Sequence, residues 1–168
     1  MATHEHKAKV TQAVRCLVIT VSDTRTEFND ESGQLIKGLL TQGGHETVGY
    51  HIVKDEPDEI GTLLQETMFR NDVEAVLLSG GTGIAPRDGT YEIVSQLLAK
   101  RLDGFGELFR FLSYQEIGSA AIMSRAVAGV ASGKIVISLP GSQGAVRLAM
   151  EQLVLPELGH MISLVQDR

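Results

Sequence analysis

Ala75-Val76-Leu77-Leu78-Ser79-Gly80-Gly81-Thr82-Gly83 decides the fold. Four apolar residues in a row, too few for a helix, read as a strand buried on both faces. A glycine-rich turn follows at once. Beyond it, Ala85-Pro86-Arg87-Asp88-Gly89 leads into an amphipathic stretch with Ile93, Val94, Leu97 and Leu98 on one face. Strand, glycine loop and helix in that order form one unit of a parallel α/β sheet.

The same alternation extends in both directions. Upstream, Val14 to Val21 is a second buried strand, closed by Ser22-Asp23-Thr24. Leu35, Ile36, Leu39 and Leu40 make a helical face that Gly43-Gly44 ends. His45 to Val53 alternates more and suits a peripheral strand. Asp55-Glu56-Pro57 then opens a helix, with Pro57 at its first turn. Downstream, residues 104–125 suggest two helical pieces. Residues 126–131 and 134–139 are strands joined by Ser132-Gly133, a hairpin signal that makes one edge strand antiparallel. Two further helical stripes, through Val146 and after Pro156, close the chain. The expected fold is a three-layer αβα domain, with a mostly parallel sheet and one antiparallel edge strand. Residues 14–168 form the single domain and residues 1–13 a polar tail.

Composition narrows the function. At 168 residues there is room for one domain. A formal charge of −6 argues against nucleic acid or an anionic membrane as partner, but not against one small anion in a local pocket. The longest apolar runs are far short of a membrane span. One cysteine, Cys16, excludes an internal disulfide and a Cys-rich zinc site and suits a reducing cytoplasm. Its mid-strand position marks it as a small core residue. His4 and His6 are spaced to share a metal, yet a polar tail is a poor site for one.

Parallel sheets bind ligands beyond the carboxyl ends of their strands, where strand order reverses. The loops starting at Ser22, Lys54, Ser79 and Pro140 are therefore expected on one edge. That edge gathers Asp23, Asp55, Asp88 and two glycine loops into one crevice. In Ser79-Gly80-Gly81-Thr82-Gly83, glycines let successive amides face an anion, and the two hydroxyls add donors. A plain tight turn is the simpler reading, but it needs fewer glycines. No lysine follows, so it is not a P-loop. The first strand has no glycine fingerprint for a dinucleotide. Ser79 stands where a phosphoacceptor domain needs aspartate. Asp55 and Asp88 each sit before a helix, where capping is an ordinary task. Beside a phosphate loop, however, two carboxylates also make a Mg²⁺ site that shares the ion with substrate phosphates. Leu139-Pro140-Gly141-Ser142 is a second glycine loop, read either as an anion loop or as a helix start capped by Ser142. Arg87 is read as a solvated arginine or as positive charge for the ligand.

Taken in order, Ser79-Gly-Gly-Thr-Gly, Pro86-Arg-Asp-Gly-Thr, Ser113-Tyr-Gln-Glu-Ile-Gly, Ser124-Arg-Ala and Leu139-Pro-Gly-Ser resemble the MoaB/MogA family of molybdenum cofactor biosynthesis proteins. The resemblance runs from Val14 to Val165. It implies an αβα homo-oligomer, a trimer or a hexamer made as a dimer of trimers. It also implies adenylylation of molybdopterin by Mg-ATP, giving adenylyl-molybdopterin and pyrophosphate. A non-catalytic molybdopterin-binding or assembly paralog on the same fold is the alternative. By the resemblance, Asp55 and Asp88 are the catalytic and metal-holding pair. Ser79, Gly80, Gly81, Thr82 and Gly83, with Pro140, Gly141 and Ser142, are the ligand loops. One residue departs from the pattern. Gly89 stands where a branched side chain is usual, and is expected to loosen the backbone beside Asp88.

Overall fold

A computed structural model describes residues 12–167. His4 and His6, and most of the expected 1–13 tail, lie outside them. The elements are β1 (Arg15–Val21), α1 (Glu31–Gln42), β2 (Glu46–Val53), α2 (Pro57–Met68), β3 (Ala75–Ser79), α3 (Thr90–Leu97), β4 (Lys100–Arg101), α4 (Asp103–Ile117), β5 (Val127–Ala131), β6 (Lys134–Leu139), α5 (Gln143–Ala149) and α6 (Leu155–Gln166). A 3₁₀ segment, Gly118–Met123, follows α4.

The six strands form one sheet in the order β2-β1-β3-β6-β5-β4. The first four are parallel, and β5 and β4 each run antiparallel to their neighbour. The fold class is the expected one. β5 is the antiparallel strand of the hairpin, turned by Ser132 and Gly133, both at positive φ. Two-residue β4 forms the outer edge and is too short to leave a period in the sequence.

Side chains along β1 alternate between two cores, as a strand's period of two requires. Cys16 and Val18 pack with Ile36, Leu40, Phe109, Val146 and Leu158 under α1, α4, α5 and α6. Leu17 and Ile19 pack with Ile60, Leu64, Val76 and Val94 under α2 and α3. Each fully buried branched side chain contributes about 1.5–3 kcal/mol. Cys16 is such a core residue, and burial pushes its thiol up to about 12. Residues 143–166 read as two helices but run on as one through a π-helical segment, Met150–Val154. Pro156 has no N–H to give, so the segment around it shifts register while the helix continues. No helix among the described residues is long and apolar enough to cross a membrane.

From β1 the chain crosses to β2 on one side and then returns to β3 on the other. Strand order therefore reverses between β1 and β3. The loops after β1, β2, β3 and β6 all leave the same edge, as expected, and they touch there. The Ser22 amide donates to the Val53 carbonyl at 2.8 Å, and the Gly80 amide to that of Leu139 at 3.0 Å.

Candidate functional site

Ser79 ends β3 fully buried. Two positive φ values then turn the chain, 101° at Gly80 and 68° at Gly81. The glycines are demanded by space as well as by φ. A Cβ on Gly80 would lie 2.2 Å from the Val21 carbonyl oxygen. One on Gly81 would lie 2.1 Å from Thr90 Oγ1 and 3.2 Å from both carboxylate oxygens of Asp55, and one on Gly83 would lie 2.7 Å from Asp88 Oδ2. One loop is thus packed against both aspartates, Asp55 behind Gly81 and Asp88 behind Gly83. The amides of Gly81, Thr82 and Gly83 make no backbone hydrogen bond among the described residues.

Asp55 is buried in the turn between β2 and α2. Its amide donates to Asp23 Oδ1 at 3.2 Å. Oδ1 of Asp55, like Ser79 Oγ and Thr90 Oγ1, is buried without a partner. Burial raises the Asp55 pKa, and Asp88 and Asp23 add to the rise; the Gly89 amide and Arg87 act against it. A buried, partly charged oxygen with no donor is costly unless something binds it.

Asp88 does not cap α3. Gly89 is the N-cap residue, and the Asp88 carboxylate instead accepts from the Ala85 amide at 2.9 Å. Gly89 is not required by backbone shape or by space. Its backbone is helical, φ −118° and ψ −6°, and a Cβ there would meet Pro57 Cγ at an ordinary 3.7 Å. Arg87 is exposed and already paired, with Asp23 at 2.6 Å and Glu56 at 2.8 Å. That pairing holds the Asp23 carboxyl below its usual range.

The second glycine loop differs. Ser142 Oγ accepts from the Ala145 amide at 3.3 Å and caps α5. The Gly141 carbonyl accepts from Ser32 Oγ at 2.7 Å. Gly141 packs against the Gly80 backbone. A cleft of about 200 Å³ opens between the ends of β1 and β3, with Arg25, Asp30, Ser32, Ser79, Gly80 and Gly141 among its lining residues. A separate, open groove of about 570 Å³ includes Pro57, Ile84, Asp88, Gly89 and Arg125 in its lining. Asp88 lines the groove, whereas Ser79, Gly80 and Gly141 line the cleft.

Two residues beside the first glycine loop have no role legible in the sequence. Thr90 is fully buried against Gly81. Arg125 donates from Nε to the Gly83 carbonyl at 2.9 Å and from Nη2 to that of Asp88 at 3.2 Å. Both belong to ordered motifs of the resemblance, but a motif alone does not show which atoms meet. No cluster of three or more His, Cys, Asp or Glu side chains able to hold a metal occurs among the described residues. Asp55 and Asp88 are the residues that could hold a cation here. The unpartnered Asp55 Oδ1 and the all-oxygen donor set fit Mg²⁺.

A sheet that reverses order beside a glycine loop and a buried carboxylate is the frame of a small-ligand-binding α/β domain. Residues 17–160 match the family model described as a probable molybdopterin binding domain. The molybdenum cofactor biosynthesis protein B of Halalkalibacterium halodurans is 51% identical over 170 residues, covering 100% of both chains. A crystal structure of a molybdenum cofactor biosynthesis protein B superposes with a TM-score of 0.91 at 51% identity, covering 94% of this chain and 98% of that one. The tungsten cofactor synthesizing protein MoaB of Pyrococcus furiosus superposes at 0.84 with 37% identity, covering 93% and 99%. The chain belongs to the MoaB/MogA family of molybdenum cofactor biosynthesis proteins.

Proposed function

We propose that the chain works in molybdenum cofactor biosynthesis as a Mg-ATP-dependent molybdopterin adenylyltransferase. One observation carries the reading: a loop of obligatory glycines packs against Asp55 and Asp88 together, with Asp55 Oδ1 and Thr90 Oγ1 left without partners. In the reaction, a terminal phosphate oxygen of molybdopterin attacks the α-phosphorus of ATP. A new P–O bond forms, the α–β bridging P–O bond breaks, and pyrophosphate departs with the electron pair. The attacking phosphate is already an anion near neutral pH, so no strong base is needed. Bound Mg²⁺ supplies positive charge to the phosphate oxygens and the departing pyrophosphate. Asp55 and Asp88 hold it and abstract no proton. The amides of Gly81 to Gly83 orient phosphate oxygens, and alignment of this kind supplies up to about 7–11 kcal/mol. The other glycine loop, Pro140 to Ser142, reaches the neighbouring cleft through Gly141 and takes the other part of the ligand pair.

Pyrophosphate release that requires both molybdopterin and Mg-ATP tests the proposal. Asp88→Asn keeps the fold and loses about a hundredfold in turnover, the usual loss on removing one electrostatic stabiliser. Near-normal turnover removes Asp88 from the mechanism. One observation favours a non-catalytic molybdopterin-binding or assembly role: the Asp88 carboxylate already accepts from Ala85. Calorimetry separates the two, since that role predicts pterin binding without ATP binding.

The protein is further proposed to act in the cytoplasm as a homo-oligomer, trimeric or hexameric. Supporting this, α4 and the 3₁₀ segment expose Leu108, Phe111, Tyr114, Ile117, Ile122 and Met123 along one stretch of chain. Sedimentation at micromolar protein measures the assembly; a monomer refutes it.

A further inference from the structure

Asp88 reaches the glycine loop from an irregular segment, residues 84–89, with no sheet or helix of its own to fix it. Within the segment the Asp88 amide donates to the Ala85 carbonyl at 2.9 Å, and the Ala85 amide donates back to the Asp88 carboxylate, also at 2.9 Å. These bonds close a small ring, and Arg87 ties its middle to Asp23 and Glu56 at the exposed surface, but neither fixes its two ends. Arg125 does, from a distant stretch of chain just before β5. Its planar guanidinium grips both ends of the segment, through the carbonyls of Gly83 and Asp88. The third nitrogen, Nη1, pairs with Glu92. One face of the fork lies 5.0 Å from the centre of the Tyr91 ring, and the Tyr91 hydroxyl accepts from Arg101 at 3.1 Å. The Arg125 side chain is 26% exposed, so water competes weakly for these bonds.

We propose that Arg125 is the positioning residue of the site: it fixes where Asp88 stands relative to Gly81 and Gly83 and touches no reacting atom. Each of the three guanidinium nitrogens makes a bond to the protein, with Gly83, Asp88 and Glu92, and these three bonds set the plane of the fork. Lysine cannot replace it. An ammonium is a point charge and cannot bridge two carbonyls in a fixed plane while stacking on a ring.

The test is amide hydrogen exchange on the ligand-free full chain, wild type against Arg125→Lys and Arg125→Gln. In both variants the peptide covering residues 84–89 exchanges at least about tenfold faster, while peptides of β1 and β3 are unchanged. Exchange within about twofold of wild type in that peptide overturns the proposal. Faster exchange throughout the sheet in both variants also overturns it, because Arg125 is then a residue of the fold rather than of the site. The kinetic arm rests on the adenylyltransferase reading: kcat falls about a hundredfold with KM for ATP nearly constant, the signature of a carboxylate displaced by about 1 Å. A kcat unchanged alongside loosened exchange overturns the role in positioning. Wild-type protein that transfers no adenylyl group sinks the functional reading and leaves the exchange result to decide on Arg125.

Discussion

The two glycine loops look alike in the sequence, each leaving a strand and entering a helix, yet they are built differently. In Ser79 to Gly83, positive φ and a missing Cβ are both in use, because the backbone runs within reach of Val21, Thr90, Asp55 and Asp88. In Pro140 to Gly144 neither glycine has a positive φ. Gly141 meets only the Gly80 backbone, and a Cβ on Gly144 would meet nothing within 4 Å. The first loop is shaped by what it must approach, and the second largely by the start of α5. Glycine count alone does not separate a loop that must approach its neighbours closely from a helix start; the contacts of the absent Cβ do.

Substitutions at matching points of the two loops break or sharpen that contrast. Gly81→Ala has the largest expected effect. It strains a left-handed backbone and drives a methyl into Thr90 Oγ1, costing about 1–3 kcal/mol. Turnover becomes undetectable, and thermal unfolding measures the strain. If Gly81→Ala is as stable and active as wild type, the claim that this loop is obligatory fails. Gly141→Ala is intermediate. Its Cβ would stand 3.3 Å from Gly80 Cα, so the neighbour must give by a few tenths of an ångström. Less than about 1 kcal/mol of stability is lost, and any drop in activity stays well short of that at Gly81. Gly144→Ala lies inside α5 with open space around it and stabilises the protein by about 0.4–1 kcal/mol. A loss of stability there would show that α5 is packed more tightly than its surroundings indicate.

A subtler contrast concerns the buried carboxylate behind the first loop. The folded-state pKa of Asp55 is raised, chiefly by burial. Above that pKa the folded protein holds a charge it disfavours, so Asp55 lowers stability at neutral pH. The penalty disappears as pH falls below the ordinary carboxylate range, where the group is neutral in both states. Asp55→Asn therefore melts higher than wild type at pH 7, and the difference closes toward pH 3. Turnover is lost in the same variant. A lower melting temperature at pH 7 would mean that the charge of Asp55 is already compensated in the ligand-free protein.

Much of this was legible in the sequence. Buried strands such as Ala75 to Leu78 announce themselves by composition, and Pro57, Gly43-Gly44 and Ser132-Gly133 mark where elements start and stop. Two-residue β4 left no signal because no periodicity fits in two positions. The π segment before Pro156 was missed because a helix can absorb a proline by shifting register. Asp88 read as a possible cap because local spacing allows it, while its true partner, the Ala85 amide, depends on how the loop curls. Arg125 stood in the ordered motif without a role, since its partners are carbonyls about forty residues away.

Hydrophobic pattern and turn chemistry act over a few neighbouring residues. The amino-acid order therefore settled the layers, the parallel strands and the edge on which the loops gather. Which oxygens face which amides is a long-range matter of packing. Only the folded chain set Asp55 and Asp88 behind a single loop and laid the Arg125 guanidinium across both ends of the Asp88 segment.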